Sequence, residues 1–187
     1  MRIAILALQG AFAEHAARVR QLGAECFEIR QASDWQQPKN ALILPGGEST
    51  AQMRLLNDLS LLNPIRQAIN DGLPVFGTCA GMILLSEGRL GTMATRVRRN
   101  AYGRQLGSFR TTGTVSGVGN DIPMTFIRAP YIEEVLSSQC EVLAVTDGHI
   151  TAVRQGLQLA TAFHPELDAD TRMHQYFLQM AADACQT

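Results

Sequence analysis

The sequence has no hydrophobic segment long enough to cross a membrane. Its first apolar run, Ile3 to Leu8, has only six residues, whereas a membrane-spanning helix needs about 20. The run is also shorter than the apolar core of an export signal, which has about 7–15 residues. We therefore expect a chain that has no membrane association, is not exported and lies in the cytoplasm.

Cysteine is scarce, and no two cysteines have the spacing of a metal or redox motif. The four residues, Cys26, Cys79, Cys140 and Cys185, form no Cys-x-x-Cys pair, which excludes zinc-knuckle and thioredoxin-type sites. Structural disulfides are rare in a reducing cytoplasm. We expect no disulfide and no bound metal.

The chain also lacks an excess of charge of either sign. Sixteen basic and seventeen acidic residues give a net charge of −1, which argues against a dedicated nucleic-acid binder or a polybasic membrane anchor. Hydrophobic residues make up 46% and charged residues 18%, a globular composition. Because no repeat or Pro/Gly/Ser-rich linker divides the sequence, we expect one domain over residues 1–187.

In the first half, short apolar runs alternate with helical patterns. Strands are expected at 3–8, 26–29, 41–44 and 75–76. Helices are expected at 11–22, from Ser49 or Thr50 to about Leu59, and from Asn63 to Gly72. Strands that alternate with helices imply parallel pairing through right-handed crossovers.

The second half is richer in strands. Runs at 141–146 and 149–154 flank Asp147-Gly148, a strong hairpin signal. A further strand at 157–163 precedes a closing amphipathic helix. The expected fold is α/β: a three-layer sandwich with a mostly parallel central sheet, helices on both faces and added antiparallel strands in the second half.

Three segments at predicted strand ends could carry chemistry. The first is Gly-Thr-Cys-Ala-Gly at 77–81, which has the form of a nucleophile elbow between a strand and a helix. A helix N-terminus stabilises a thiolate, the reactive form of cysteine. By itself, the motif fits a buried, inert cysteine equally well.

The second segment is His164-Pro165-Glu166. Residues two apart in an extended chain point to the same side, so the carboxylate of Glu166 could fix the tautomer of His164. The tripeptide also fits an incidental polar pair at a strand end.

The third segment is Leu-Pro-Gly-Gly-Glu-Ser-Thr at 44–50, whose paired glycines could turn backbone amides toward an oxyanion. It also fits an ordinary loop with a helix cap. All three segments follow strands, however, and open α/β sheets place their sites at the carboxyl ends of strands.

The order of Pro-Gly-Gly, Gly-x-Cys-x-Gly and His-x-Glu resembles that of the triad glutamine amidotransferases. Ile83 stands where most of them carry glutamine. Further strings are similar to those of the glutaminase subunits of pyridoxal 5′-phosphate synthases: Leu-Gln-Gly at 8–10, Arg-Asn-Ala-Tyr-Gly-Arg-Gln at 99–105, Phe-Ile-Arg-Ala-Pro at 126–130 and Phe-His-Pro-Glu at 163–166.

The resemblance implies hydrolysis of L-glutamine without a cofactor. It implies Cys79 as nucleophile, with His164 and Glu166 as its partners. The implied glutamine contacts are Gly47, Glu48, Ser49, Arg99, Ile127 and Arg128. The backbone amides of Gly47 and Ala80 are candidates for the oxyanion hole. The implied partner is a barrel-shaped synthase subunit that uses the ammonia to make pyridoxal 5′-phosphate, a form of vitamin B6.

Two alternatives remain open at this point: another cysteine-elbow hydrolase such as a γ-glutamyl hydrolase, or a non-catalytic assembly subunit.

The stretch from Arg96 to Arg110 holds five arginines and no acid, and we interpret Arg96 and Arg98 as a solvated or partner-contacting basic face. The other histidines, His15, His149 and His174, have no metal-ligand spacing. His15 is expected at the surface or its boundary.

Overall fold

The computed structural model describes residues 1–99 and 108–186. The elements of the first half are β1 (Arg2–Leu6), α1 (Phe12–Gln21), β2 (Glu25–Ile29), α2 (Ala32–Trp35), β3 (Ala41–Leu44), α3 (Ser49–Asp58), α4 (Leu62–Asn70), β4 (Val75–Thr78) and α5 (Ala80–Leu85). Those that follow are β5 (Thr95–Arg98), β6 (Ser108–Val115), β7 (Gly119–Ile127), β8 (Tyr131–Val135), β9 (Cys140–Thr146), β10 (His149–Gln155), β11 (Gln158–Thr161) and α6 (Arg172–Ala184).

The central sheet has a parallel half and an antiparallel half. Strands β2, β1, β3, β4 and β11 lie side by side in that order, and each neighbouring pair is parallel. From β1, the chain crosses over to β2, which lies on one side of it in the sheet. From β3, the chain crosses over in the opposite direction to β4. Right-handed crossovers therefore place α1 on one face of the sheet and α3 with α4 on the opposite face.

The antiparallel strands come from the second half, as expected. The β9–β10 hairpin turns at Asp147-Gly148, both of which have a positive φ. Strand β10 also pairs with β8 and β11, and β5 pairs with β8. Strands β6 and β7 form a separate two-stranded sheet. The sequence patterns predicted the α/β fold correctly but missed the strands β5 to β8.

The core lies along the parallel strands. Every residue of β3 and β4 is buried, because helices cover both faces of this part of the sheet. The strand β1 ends at Leu6, two residues earlier than predicted. Gln9 and Gly10 consequently lie in the loop before α1, at the same edge of the sheet as the ends of β3, β4 and β11.

Candidate active site

Cys79 lies in a strained turn between β4 and α5. Its backbone has φ +49° and ψ −102°, a region that side-chain-bearing residues rarely adopt. The backbone N–H of Cys79 donates to the Thr161 carbonyl at 2.7 Å, which ties the turn to the end of β11. A Cβ on Gly81 would overlap the Leu44 carbonyl oxygen. Only glycine therefore lets α5 begin this close to β3, and strain of this kind is concentrated at functional sites.

His164 and Glu166 form a buried pair just beyond β11. The Nδ1 atom of His164 lies 2.7 Å from Oε1 of Glu166, and the two residues are 6% and 1% exposed. The backbone N–H of His164 donates to the Thr125 carbonyl of β7 at 2.8 Å. This geometry leaves Nε2 as the ring nitrogen that faces Cys79, as the predicted orienting role of Glu166 requires.

The electrostatics of the site favour a protonated His164. Burial by itself lowers the pKa of this imidazole. Hydrogen bonds to the side chains of Cys79 and Glu166, together with their negative charges, outweigh burial and raise the pKa to about 10. At neutral pH, this imidazolium therefore carries a positive charge between the side chains of Cys79 and Glu166.

The loop after β3 packs against the end of β4 and against the loop before α1. The N–H of Gly46 donates to Oγ1 of Thr78 at 3.1 Å, and the Gly46 carbonyl accepts from the N–H of Ala11 at 3.0 Å. The N–H of Glu48 donates to Oε1 of Gln9 at 2.7 Å. These bonds fix the position of Gly47, whose φ is +157°.

Glu48 and Arg99 form an exposed ion pair at the mouth of the site. The Glu48 carboxylate accepts from the backbone N–H groups of Thr50 and Ala51 at 3.1 and 2.7 Å and thereby caps α3. Those backbone bonds, with a smaller effect of the Arg99 charge, lower the pKa of Glu48. Arg99 donates to the Glu48 carboxylate at 3.0 Å and to the Thr50 hydroxyl at 3.1 Å. Its guanidinium is thus held in place beside the cavity.

These residues surround a cavity of about 290 Å³, a volume at the lower end of the range for small-molecule sites. Its wall contains Cys79, His164 and all six predicted glutamine contacts: Gly47, Glu48, Ser49, Arg99, Ile127 and Arg128. Ala80 is fully buried directly after Cys79, and Glu166 lies behind His164. The structure therefore brings the three motifs together at one edge of the sheet.

The cavity wall also includes Gln9, Ile83 and Pro130, which the sequence interpretation did not place in the site. The signal for Gln9 was its position after a strand, next to Gly10. Ile83 contributes an apolar surface at the position where most triad amidotransferases carry glutamine.

The two arginines predicted on a solvated or partner-contacting basic face form ion pairs at the surface. Arg96 forms ion pairs with Glu87 and Glu134, and Arg98 with Glu133 at 3.6 Å. Both arginines are exposed to solvent, as predicted, and each has an acidic neighbour. The segment 100–107, which includes Arg104 and most of the predicted motif at 99–105, lies outside the described residues.

The prediction for His15 was wrong: this side chain is fully buried. Across residues 1–99 and 108–186, no group of three or more His, Cys, Asp or Glu could hold a metal ion. None of the helices in this part of the chain is long and apolar enough to span a membrane.

Known proteins are similar to this chain in both sequence and fold. The chain is 54% identical to the pyridoxal 5′-phosphate synthase subunit PdxT of Streptococcus pneumoniae strain CGSP14, over 98% of each chain. A crystal structure of a glutamine amidotransferase superposes with a TM-score of 0.89 at 41% identity, covering 96% of this chain and 98% of that one. A glutamine amidotransferase from Thermotoga maritima shares the fold alone, with a TM-score of 0.67 at 13% identity, covering 100% of this chain and 84% of that one. The model of the SNO glutamine amidotransferase family matches residues 5–183, and the chain belongs to this family.

Proposed function

We propose that residues 1–187 form one glutamine amidotransferase domain that hydrolyses L-glutamine and supplies the ammonia to a pyridoxal 5′-phosphate synthase. The catalytic residues in this proposal are Cys79, His164 and Glu166. The observation that carries it is the buried His164–Glu166 pair beside the strained Cys79 turn, at the wall of a cavity of amino-acid size. The high identity to a synthase subunit supports the same function.

In the first half of the reaction, the Cys79 thiolate attacks the side-chain amide carbon of glutamine and forms a C–S bond. The carbonyl electron pair moves to oxygen, where the backbone amides of Gly47 and Ala80 stabilise the negative charge. One such donor in another enzyme contributes about 2.7–4 kcal/mol. His164 then gives its proton to the leaving nitrogen as the C–N bond breaks, and ammonia departs from a glutamyl thioester.

In the second half, His164 takes a proton from water, and the resulting hydroxide attacks the thioester. The C–S bond breaks, the new γ-carboxyl group loses its proton to solvent as glutamate leaves, and Cys79 returns as a thiolate beside a protonated His164. Glu166 keeps Nδ1 of His164 protonated throughout, so that Nε2 is the nitrogen that exchanges protons.

We assign the α-carboxylate and the α-ammonium group of glutamine to the mouth of the cavity. The guanidinium of Arg99 offers two parallel N–H donors that match the substrate α-carboxylate. Glu48 offers a carboxylate for the α-ammonium group. In the free protein these two residues pair with each other, so the substrate would exchange one ion pair for two.

This assignment predicts that Arg99→Lys raises KM for glutamine about tenfold, equivalent to about 1.4 kcal/mol, while kcat changes less than threefold. Lysine keeps the charge but cannot make the paired contact. Arg96→Lys is the matched control, because Arg96 lies outside the cavity wall and pairs with Glu87 and Glu134. Steady-state kinetics of glutamate formation would measure both variants. An unchanged KM in Arg99→Lys would contradict the assignment.

Ammonia released into neutral water is converted mostly to ammonium, which is not a nucleophile. The proposal therefore includes direct transfer to a synthase subunit docked on this chain. The proposal also includes two expectations from the sequence analysis: the partner has a barrel shape, and this chain lies in the cytoplasm.

The test of the whole function is transfer of labelled nitrogen. With glutamine labelled with ¹⁵N in the side-chain amide, a synthase subunit, a pentose phosphate and a triose phosphate, we expect ¹⁵N in the pyridoxal 5′-phosphate product by mass spectrometry. A tenfold excess of unlabelled ammonium should dilute the label only weakly. Glutamate without labelled product would favour a separate hydrolase, and absence of glutamate would favour an assembly subunit.

A further inference from the structure

Two buried histidines lie directly behind the proposed triad. His15 of α1 and His174 of α6 are each 0% exposed, although the residues belong to helices 159 positions apart in sequence. Nδ1 of His15 lies 2.9 Å from Nε2 of His174. The mechanism described above uses neither residue, so their burial needs another explanation.

The other ring nitrogen of His15 points at the catalytic groups. Nε2 lies 3.0 Å from Oγ1 of Thr78, the residue before Cys79, and 3.4 Å from Oε2 of Glu166. Oε2 is the carboxylate oxygen that does not bond His164. Within the described residues, this buried oxygen has no hydrogen-bond partner, and Nε2 of His15 is a polar atom close to it. The chain of side chains therefore runs from His174 through His15 and Glu166 to His164.

Both histidines are neutral in this environment. Burial, followed by the nearby charges of His174 and His164, holds the pKa of His15 well below its usual range. Burial, with a smaller effect of the Arg18 charge, lowers the pKa of His174 to about 3. The edge-on ring of Phe76 packs against both imidazoles.

Hydrogen bonding selects one tautomer for each ring. If Nε2 of His15 carries the proton, it donates to Oγ1 of Thr78 and presents its N–H to Oε2 of Glu166, and Nδ1 accepts from Nε2–H of His174. Nδ1 of His174 is then an unpaired acceptor, consistent with its having no partner in the described part of the chain. In the opposite arrangement the Thr78 hydroxyl donates to Nε2 of His15, but an unpaired N–H is left on Nδ1 of His174, and the lone pair of His15 Nε2 faces the negatively charged Oε2. Buried orphan donors are rarer than under-satisfied acceptors.

We propose that His15, held in this tautomer by His174, is a positioning residue that fixes the Glu166 carboxylate for its hydrogen bond to His164. The proposal rests on the triad assigned above. An oriented carboxylate keeps the catalytic imidazole in place, in the same way that partners of metal-bound histidines fix their ligands. The contact of His15 with Thr78 also connects Glu166 to the strand end that precedes Cys79.

Two amide substitutions of His15 test the proposal, because each places a polar atom at the position of only one of the two imidazole nitrogens. The amide nitrogen of glutamine in His15→Gln reaches the place of Nε2 and can still present an N–H to Glu166. The shorter side chain in His15→Asn reaches only the place of Nδ1 and keeps the contact with His174. With the full chain and its synthase present, we expect kcat about 10–100-fold lower in His15→Asn and within fivefold of the unmodified protein in His15→Gln, with KM little changed in both.

A purely structural role for His15 predicts different results. If its contribution is packing and pairing with His174, then His15→Asn should be the more active variant, and that order would overturn the proposal. A thermal melt of each variant would report folding separately from activity.

Combining each change with Glu166→Gln shows whether His15 acts through the carboxylate. We expect His15→Asn to cost less than threefold in that background. An equal loss in both backgrounds would refute the positioning role and leave the triad intact. If Glu166→Gln alone has no effect on glutamine hydrolysis, the triad assignment fails, and the role of His15 fails with it.

Discussion

Cys79→Ala should reduce glutamine hydrolysis by about 10⁴-fold or more, the largest effect expected of any single substitution. The thiolate forms the covalent bond to substrate, and removal of a nucleophile from a triad costs about 10⁶-fold in a well-studied protease. Binding of glutamine should persist, since the contacts assigned to Arg99 and Glu48 do not involve the sulfur atom. The measurements are glutamate formation with the synthase present and glutamine affinity by calorimetry.

Cys140→Ala is the matched control for this prediction. Cys140 is also a buried, free cysteine, but burial raises the pKa of its thiol to about 11, so it is protonated at neutral pH and unreactive. We expect its replacement to leave hydrolysis within twofold. A glutamine-like electrophile should label Cys79 and spare Cys140. Normal glutamine hydrolysis by Cys79→Ala would disprove the nucleophile assignment.

Gly46→Ala should lower kcat about 100-fold even though the change adds one methyl group outside the triad. A Cβ at Gly46 would overlap the imidazole of His164. The ring must move away from Cys79 and Glu166, and misplacement of a reacting group by about 1 Å can cost about 10²-fold in rate. The free energy of unfolding should fall by about 1–3 kcal/mol, as is usual for overpacking.

Gly113→Ala provides the comparison. Gly113 lies on β6, and a Cβ there would meet only the flexible end of Met124, at 2.9 Å from Cε and 3.2 Å from Sδ. We expect activity within twofold of the unmodified protein. Glutaminase kinetics and thermal melts of both variants would test the prediction. Equal kcat values for the two alanine variants would show that the position of His164 does not depend on the space at Gly46.

The parallel half of the fold could be predicted because its apolar runs predict buried strands, and the helices of the folded chain do bury them. The apolar runs at 41–44 and 75–76 are buried on both faces, and such strands need no alternation of polar residues. The turn at Asp147-Gly148 needs positive φ at both positions, which these two residue types tolerate. The strands β5 to β8 were missed because they lack a continuous apolar run: β5, β6 and β8 each have a single buried residue, and β7 contains Pro123, a residue that weakens a strand prediction.

The three motifs at strand ends could be recognised in the sequence for a related reason. Glycines at 77 and 81 and the His-x-Glu spacing are short-range requirements of a tight turn and an extended segment. Their meeting at one sheet edge follows from the parallel order of β3, β4 and β11. The roles of Cys79, His164 and Glu166 stay predictions until the variants are measured.

The sequence by itself determined the α/β architecture, the strand-end positions of the three motifs and the absence of a long hydrophobic segment. All of these depend on residues close together in the chain. Only the tertiary structure decided that His15 is buried against His174 and Glu166, that Gln9 reaches the cavity and that Gly46 packs on His164. Those contacts join segments up to 159 positions apart, and burial of a polar side chain depends on whether distant elements supply its hydrogen-bond partners.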